Sequence, residues 1–182
     1  MAAPTNKTVF TYELIGIIFI IFLGSALHFS FAWSGNQPIV GAFSAVNESV
    51  WEHLKLAFWP SLFFTFIEYP LIRKTAKNFF AAKAIGVYLM ITIIPLVFYF
   101  YTTISGKSIF LIDISTFAAV IVIGQLVSYK FLTHRQLPEK FNKIAFVVII
   151  LLAIAFIVFT FYPPQLQIFR DSATGKYGIP EK

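Results

Sequence analysis

The sequence predicts an all-α integral membrane protein, a bundle of about five transmembrane helices with a cytoplasmic N-terminus and an outer interfacial loop and helix between the first two spans. Three observations predict it. Of 182 residues, 58% are hydrophobic and 12% charged, more apolar surface than a single soluble core of this size encloses. Five stretches reach the roughly 20 apolar residues that a helix rising ~1.5 Å per residue needs to cross a ~30 Å hydrocarbon layer. Basic residues concentrate in two of the short connections, the pattern by which Lys and Arg hold loops in the cytoplasm.

The first span covers about Val9 to Phe31 and lacks both a strong basic flank and a small-x-small cleavage site, so it reads as retained rather than as a signal peptide. The second covers Leu54 to Ile72, with Pro60 forecasting a kink or a helix start, and ends at Arg73 and Lys74. The third covers Phe79 to Ile104 with Pro95 inside it, and the fourth covers Phe110 to Leu132. The fifth, Ile144 to Tyr162, stops at Pro163 and Pro164, leaving residues 163–182 as an extramembrane tail. No internal repeat or linker divides the chain, which reads as a single membrane domain over residues 1–182.

Orientation follows from the basic residues. Arg73, Lys74, Lys77 and Lys83 follow the second span, and Lys130, Arg135, Lys140 and Lys143 follow the fourth; both connections are expected inside. Lys107 alone marks the turn between the third and fourth spans, and residues 34–44 carry no Lys or Arg, so both belong outside. Five spans then put the tail outside, against the weak opposition of Arg170, Lys176 and Lys182. A net charge of +6 is thereby explained by topology and anionic headgroups, without nucleic acid as a partner. The absence of Cys excludes disulfides, thiolate metal sites, c-type haem and iron–sulfur clusters.

The segment from Trp33 to Lys55 is too polar to span and too apolar for a plain loop. Ser44 is placed to cap a helix starting at Ala45 and running into the second span, ~42 Å in all if it reaches Ile72. On such a helix Glu48, Glu52 and Lys55 share a face, and His53 points about 100° away from Glu52. This pattern has two readings: a salt-bridged stripe on an interfacial helix, or a site. His28 near the outer end of the first span and Asp113 near the outer start of the fourth fall at similar depth, and ionisable groups at that depth usually face a bundle interior or a wet cavity. Glu48, Glu52 and His53 are therefore the catalytic candidates, with His28, Asn47, Trp51 and Asp113 as ligand-binding candidates.

Two imidazoles with carboxylates suit a divalent ion such as zinc or manganese, or non-haem iron, with His28, His53 and Glu52 as the candidate ligands. The metal signal is unspecific, since no H-E-x-x-H occurs and Glu52 and His53 diverge on a helix. A helix-packing role is the alternative for His28. Toward the cytoplasmic end, Glu13 and Glu68 lie at the depth of Lys83 and Lys130, which reads as interhelical ion pairing or as a proton or cation relay from Glu68 through Gln125.

The run Gly41-Ala-Phe-Ser-Ala-Val-Asn-Glu-Ser-Val-Trp-Glu-His-Leu-Lys55 with Phe58-Trp-Pro60, together with the tail Phe169-Arg-Asp-Ser-Ala-Thr-Gly-Lys-Tyr-Gly-Ile179, resembles an uncharacterised prokaryotic polytopic membrane-protein family of unknown function. The resemblance covers essentially the whole chain. It implies that the outer polar segment and the tail are the functional elements, and it assigns no roles. Alternating apolar residues and turn formers suit a tail that folds back over the outer end.

Three functions are consistent with these features. The first is an outer-leaflet Glu/His site, metal-assisted or not, acting on a lipid or lipid-linked substrate in the plasma membrane of a prokaryote. The second is a small proton- or cation-coupled carrier or channel. The third is a non-catalytic membrane scaffold or subunit. Membrane lipids are the expected partners in each.

Overall fold

The computed structural model describes residues 5–134 and 136–180 and is all-helical. Arg135 and Lys182, counted above among the basic residues, lie outside the described residues. The elements are α1 (Asn6–Trp33), a one-turn α2 (Pro38–Gly41), α3 (Val50–Ile72), α4 (Phe79–Ser105), α5 (Phe110–Thr133), α6 (Glu139–Phe161) and a final 3₁₀ turn (Gln167–Phe169). Four of them, α1, α4, α5 and α6, are long and apolar enough to cross a membrane.

The fifth long helix, α3, is different in kind. Fifteen of its 23 residues are buried, whereas only 22% of the most apolar stretch of each of the other four is. It carries Glu52, Lys55 and Glu68, which lower its hydropathy, and α1 and α4 pack against it. The four apolar helices turn large side chains outward along their length, among them Phe22, Phe100 and Leu151, whereas α3 does so only in its second half, at Phe63, Phe66, Ile67 and Leu71. Apolar faces this long and unbroken are stable against lipid and not against water.

Where helices touch, small residues set the spacing. Gly86 of α4 and Gly124 of α5 meet backbone to backbone, so a Cβ on Gly86 would fall 2.8 Å from the Gly124 carbonyl oxygen. Pro60 leaves α3 unbroken, but as a proline it donates no hydrogen bond to the Leu56 carbonyl one turn earlier. That oxygen stands against Gly24 of α1, 2.4 Å from where a Cβ would be, so the glycine admits the carbonyl that the proline frees.

The two ends of the bundle have distinct architectures. At one, Val9, Ile72, Phe79, Ala82 and Leu132 form a cluster that joins the start of α1 to the end of α3, the start of α4 and the end of α5. Asn78 ties the basic connections together there, its Nδ2 donating to the Phe131 carbonyl at 3.1 Å and its Oδ1 accepting from the Leu137 N–H at 2.7 Å. At the other end lie α2, the start of α3 and the tail.

That second end departs from the sequence reading. Ser44 caps no helix; its hydroxyl donates to the Val40 carbonyl at 3.1 Å. The cap is Ser49, whose Oγ accepts from the Glu52 N–H at 3.3 Å, and α3 begins at Val50. The cause is Asn47, whose Oδ1 accepts from the Ser49 N–H at 2.9 Å and so gives the backbone a side-chain partner in place of a helical one. Glu48 therefore precedes the helix and shares no helical face with Glu52.

Candidate metal centre

Three elements converge at this end. His28 comes from the last turns of α1, Glu48 from the segment before α3, and His53 from the first turn of α3 behind the Ser49 cap. One ligand atom from each of His28, Glu48 and His53 can be chosen so that all three lie within 4.8 Å of one another. His53 Nε2 is 3.3 Å from His28 Nε2 and 3.3 Å from Glu48 Oε2. Donor atoms held at ~2.0–2.1 Å around a tetrahedral ion stand roughly 3.3 Å apart, so both separations suit edges of such a polyhedron.

The protonation pattern carries the argument further. His53 Nδ1 lies 2.8 Å from the Ser49 carbonyl, which can only accept, so Nδ1 carries a proton and donates it. In a neutral ring this makes Nε2 a lone pair, aimed at another ring nitrogen and at a carboxylate. That lone pair and the Glu48 carboxylate can both be met by a positive charge, a proton on His53 or a metal ion, to which His28 Nε2 adds a third donor atom in the tautomer that carries its proton on Nδ1. A ring nitrogen anchored to a backbone carbonyl is also the usual outer-shell arrangement of a metal-ligating histidine. His53 is 30% and Glu48 50% exposed at the side chain, which leaves coordination positions open on the solvent side. The hydrogen bond and charge of His53 hold the Glu48 carboxyl below the ordinary carboxylate range.

The tail closes over this segment. Asp171 Oδ1 accepts from the Glu48 N–H at 3.3 Å, the Ser172 hydroxyl donates to the Glu48 carbonyl at 3.0 Å, and Asn47 Nδ2 donates to the Gly178 carbonyl at 2.8 Å. Asp171 is itself braced by the Ala173 N–H and the Thr174 hydroxyl. Trp51 anchors the tail from the other side, its ring packed on Phe156 of α6 and on Phe169 of the 3₁₀ turn. Asn47 and Trp51 thus hold the tail and take no place among the converging ligand atoms.

Glu52 does not join His28 and His53. It is buried, its Oε2 accepting from Lys55 Nζ at 2.6 Å and from the Val46 N–H at 3.0 Å, with Oε1 3.2 Å from the Thr160 hydroxyl. Lys55, also buried, completes its set with the Gly41 carbonyl at 2.7 Å and Thr160 at 2.8 Å. Adjacent helical residues diverge by about 100°, so with His53 facing α1, Glu52 turns to α6 and to the inner side of the loop. Glu48, and not the Glu52 expected from the sequence, is therefore the carboxylate that converges on His28 and His53.

Asp113 is also elsewhere. It accepts from the Tyr101 hydroxyl at 2.6 Å and closes the α4–α5 hairpin. Glu68 lies with Glu13 and Lys83 toward the opposite end, and Gln125 Nε2, buried near Gly16, has no hydrogen-bond partner among the described residues. No hydrogen bond joins Glu68 to Gln125. The sequence pointed to no role for Thr160, and it marked Asp171 and Ser172 only as turn formers of a tail that folds back over the outer end. The one signal available was the tail motif, since an Asp-Ser-x-Thr-Gly run supplies turn-forming carboxylate and hydroxyl groups.

The class is an all-helical bundle, four of its helices long and apolar enough to cross a membrane, with a His–His–Glu cluster at one end. The chain belongs to a family of unknown function, DUF6512, whose model matches residues 1–179, in agreement with the resemblance carried by the Asn-Glu-Ser-Val-Trp-Glu-His segment and the tail. No curated protein and no solved structure matches it.

Proposed function

We propose that His28, His53 and Glu48 hold a divalent metal ion at the outer end of a five-span bundle, and that this centre hydrolyses an ester or phosphoester bond of a lipid or lipid-linked substrate. α3 is the fifth span, with Phe66, Ile67 and Leu71 facing lipid and its charged Glu52, Lys55 and Glu68 buried among its neighbours. The basic connections face the cytoplasm and the tail faces outward, in the plasma membrane of a prokaryote. The observation that supports this reading is the convergence of two Nε2 atoms and a carboxylate oxygen, with His53 Nδ1 committed to Ser49. Three protein ligands leave a position for water, and a divalent ion brings bound water near ionisation at neutral pH.

In the hydrolysis, the water oxygen bonds to the acyl or phosphoryl centre, the bond from that centre to the ester oxygen breaks, and the alcohol component departs. One water proton ends on that leaving oxygen and the other on the acid product or the medium. The site lies at the outer end of the bundle, where headgroups gather, and its open side admits a substrate from the interface.

Elemental analysis of protein purified without chelator is expected to show about one equivalent of zinc or manganese, with His28→Ala and His53→Ala binding at least ~10-fold more weakly. Phospholipid turnover that stops on chelation and returns with metal supports the enzymatic half. A wild-type protein that binds neither ion in calorimetric titration refutes the metal centre. Bound metal without turnover on any lipid tested refutes the hydrolase and leaves a structural site.

A further inference from the structure

A second charged cluster, independent of the metal centre, lies toward the basic end. Glu13 of α1 and Glu68 of α3 are fully buried and Lys83 of α4 nearly so. Lys83 Nζ is 2.5 Å from Glu13 Oε1 and in direct contact with Glu68 Oε2. α5 contributes the Ser128 hydroxyl, which donates to Glu13 Oε1 at 3.3 Å, and two aromatic rings, Phe64 and Phe79, flank the ammonium. The charged groups in this contact network are two carboxylates and one ammonium.

The charges do not balance. One ionised carboxylate neutralises Lys83; a second leaves a net negative charge in an apolar interior, a state whose desolvation cost of several kcal/mol the single ammonium cannot offset twice. The hydrogen-bond inventory is incomplete in the same place. Glu13 Oε2 and Glu68 Oε1 are buried without a hydrogen-bond partner among the described residues. Gln125, 4% exposed and one helical turn from Ser128, brings its unpartnered Nε2 against Gly16, one turn from Glu13. Partnerless oxygens on both acids beside a single ammonium mark an interior that is one positive charge short.

The geometry points to a buried proton-binding site, in which Glu13 and Glu68 share one exchangeable proton beside the Lys83 ammonium. Two carboxylates on one ammonium hold a single proton between them because both cannot ionise together at this separation. The site bridges α1, α3, α4 and α5, so gain or loss of its proton acts on four helices at once. An alkali cation is the competing occupant, since it supplies the same charge.

Infrared difference spectroscopy on protein in lipid nanodiscs at neutral pH tests it. The wild type is expected to show the C=O stretch of a protonated carboxyl, shifted in deuterium oxide. Glu13→Gln and Glu68→Gln should each abolish that band, because the remaining acid forms a balanced pair with Lys83, while Glu139→Gln, on the surface, leaves it intact. In Lys83→Met both acids lack a cation, and the band should grow about twofold; if that variant does not fold, the two Gln variants still decide. A wild type without the band overturns the proposal, as does a band that survives in both Gln variants. A band seen only after sodium and potassium are replaced by N-methylglucamine also overturns it, making the occupant an alkali cation.

Discussion

Glu48 and Glu52 are four residues apart and do opposite work. Glu52 is locked between Lys55, Thr160 and the Val46 N–H, whereas Glu48 is half-exposed and faces two imidazoles. Glu48→Gln is expected to weaken zinc or manganese binding at least ~10-fold in a calorimetric titration, because it replaces a charged ligand by a neutral amide. The Glu48 carboxyl titrates below its ordinary value, so its contribution is present above the unfolded-state pKa of ~4.3 and disappears as pH falls through the lower folded-state value. The thermal stability of metal-free wild type should therefore exceed that of Glu48→Gln at pH 5 and converge with it on acidification below about pH 4, as read by scanning fluorimetry. Lys55→Met strands Glu52 as an uncompensated buried charge and should cost about 3–5 kcal/mol in unfolding experiments, much of it recovered in a Glu52→Gln/Lys55→Met double variant.

At the scale of elements, α3 is organised by its N-terminus and by its proline. Removing the Ser49 cap in Ser49→Ala is expected to cost about 1 kcal/mol and to loosen the turn that presents His53. The Gly86 and Gly124 contact leaves no room for a side chain, so Gly124→Leu should force α4 and α5 apart and lower the melting temperature in detergent more than Gly106→Leu at the open turn between them. The tail is the element least expected from hydropathy alone, yet four hydrogen bonds join it to Asn47 and Glu48. Asp171→Ala is expected to reduce metal affinity by a smaller factor than Glu48→Gln while leaving the stoichiometry unchanged, since it frees the segment that positions a ligand without removing one.

For the whole molecule, an odd number of long helices sets the start of α1 and the tail at opposite ends of the bundle. Since the chain has no cysteine, single-cysteine variants report topology directly. Ile39→Cys should react with an impermeant maleimide in intact cells and Lys74→Cys only after permeabilisation; the reverse pattern would invert the orientation and place the metal centre inside. The bundle was legible in the sequence because a membrane span is written as a contiguous apolar run. α4 and α5 begin at Phe79 and Phe110, as those runs predict, while α6 starts at Glu139, ahead of its apolar run, because polar first turns emerge from the apolar layer.

What the sequence determined by itself was the helical architecture, the clustering of basic residues in two connections and the unusual polarity of the segment between the first two long helices, all of which depend on composition and local order. Tertiary structure decided which acid meets which base. Whether Glu48 or Glu52 faces His28 depends on where α3 begins, and that was set by the competition of the Asn47 side chain for the Ser49 N–H and by the inward pull of Lys55 on Glu52. The tail's grip on Glu48 and the contacts of Lys83 with Glu13 and Glu68 join residues 15 to 124 positions apart. No local periodicity encodes such pairings; they exist because burying a charge in an apolar bundle requires a partner brought from another helix.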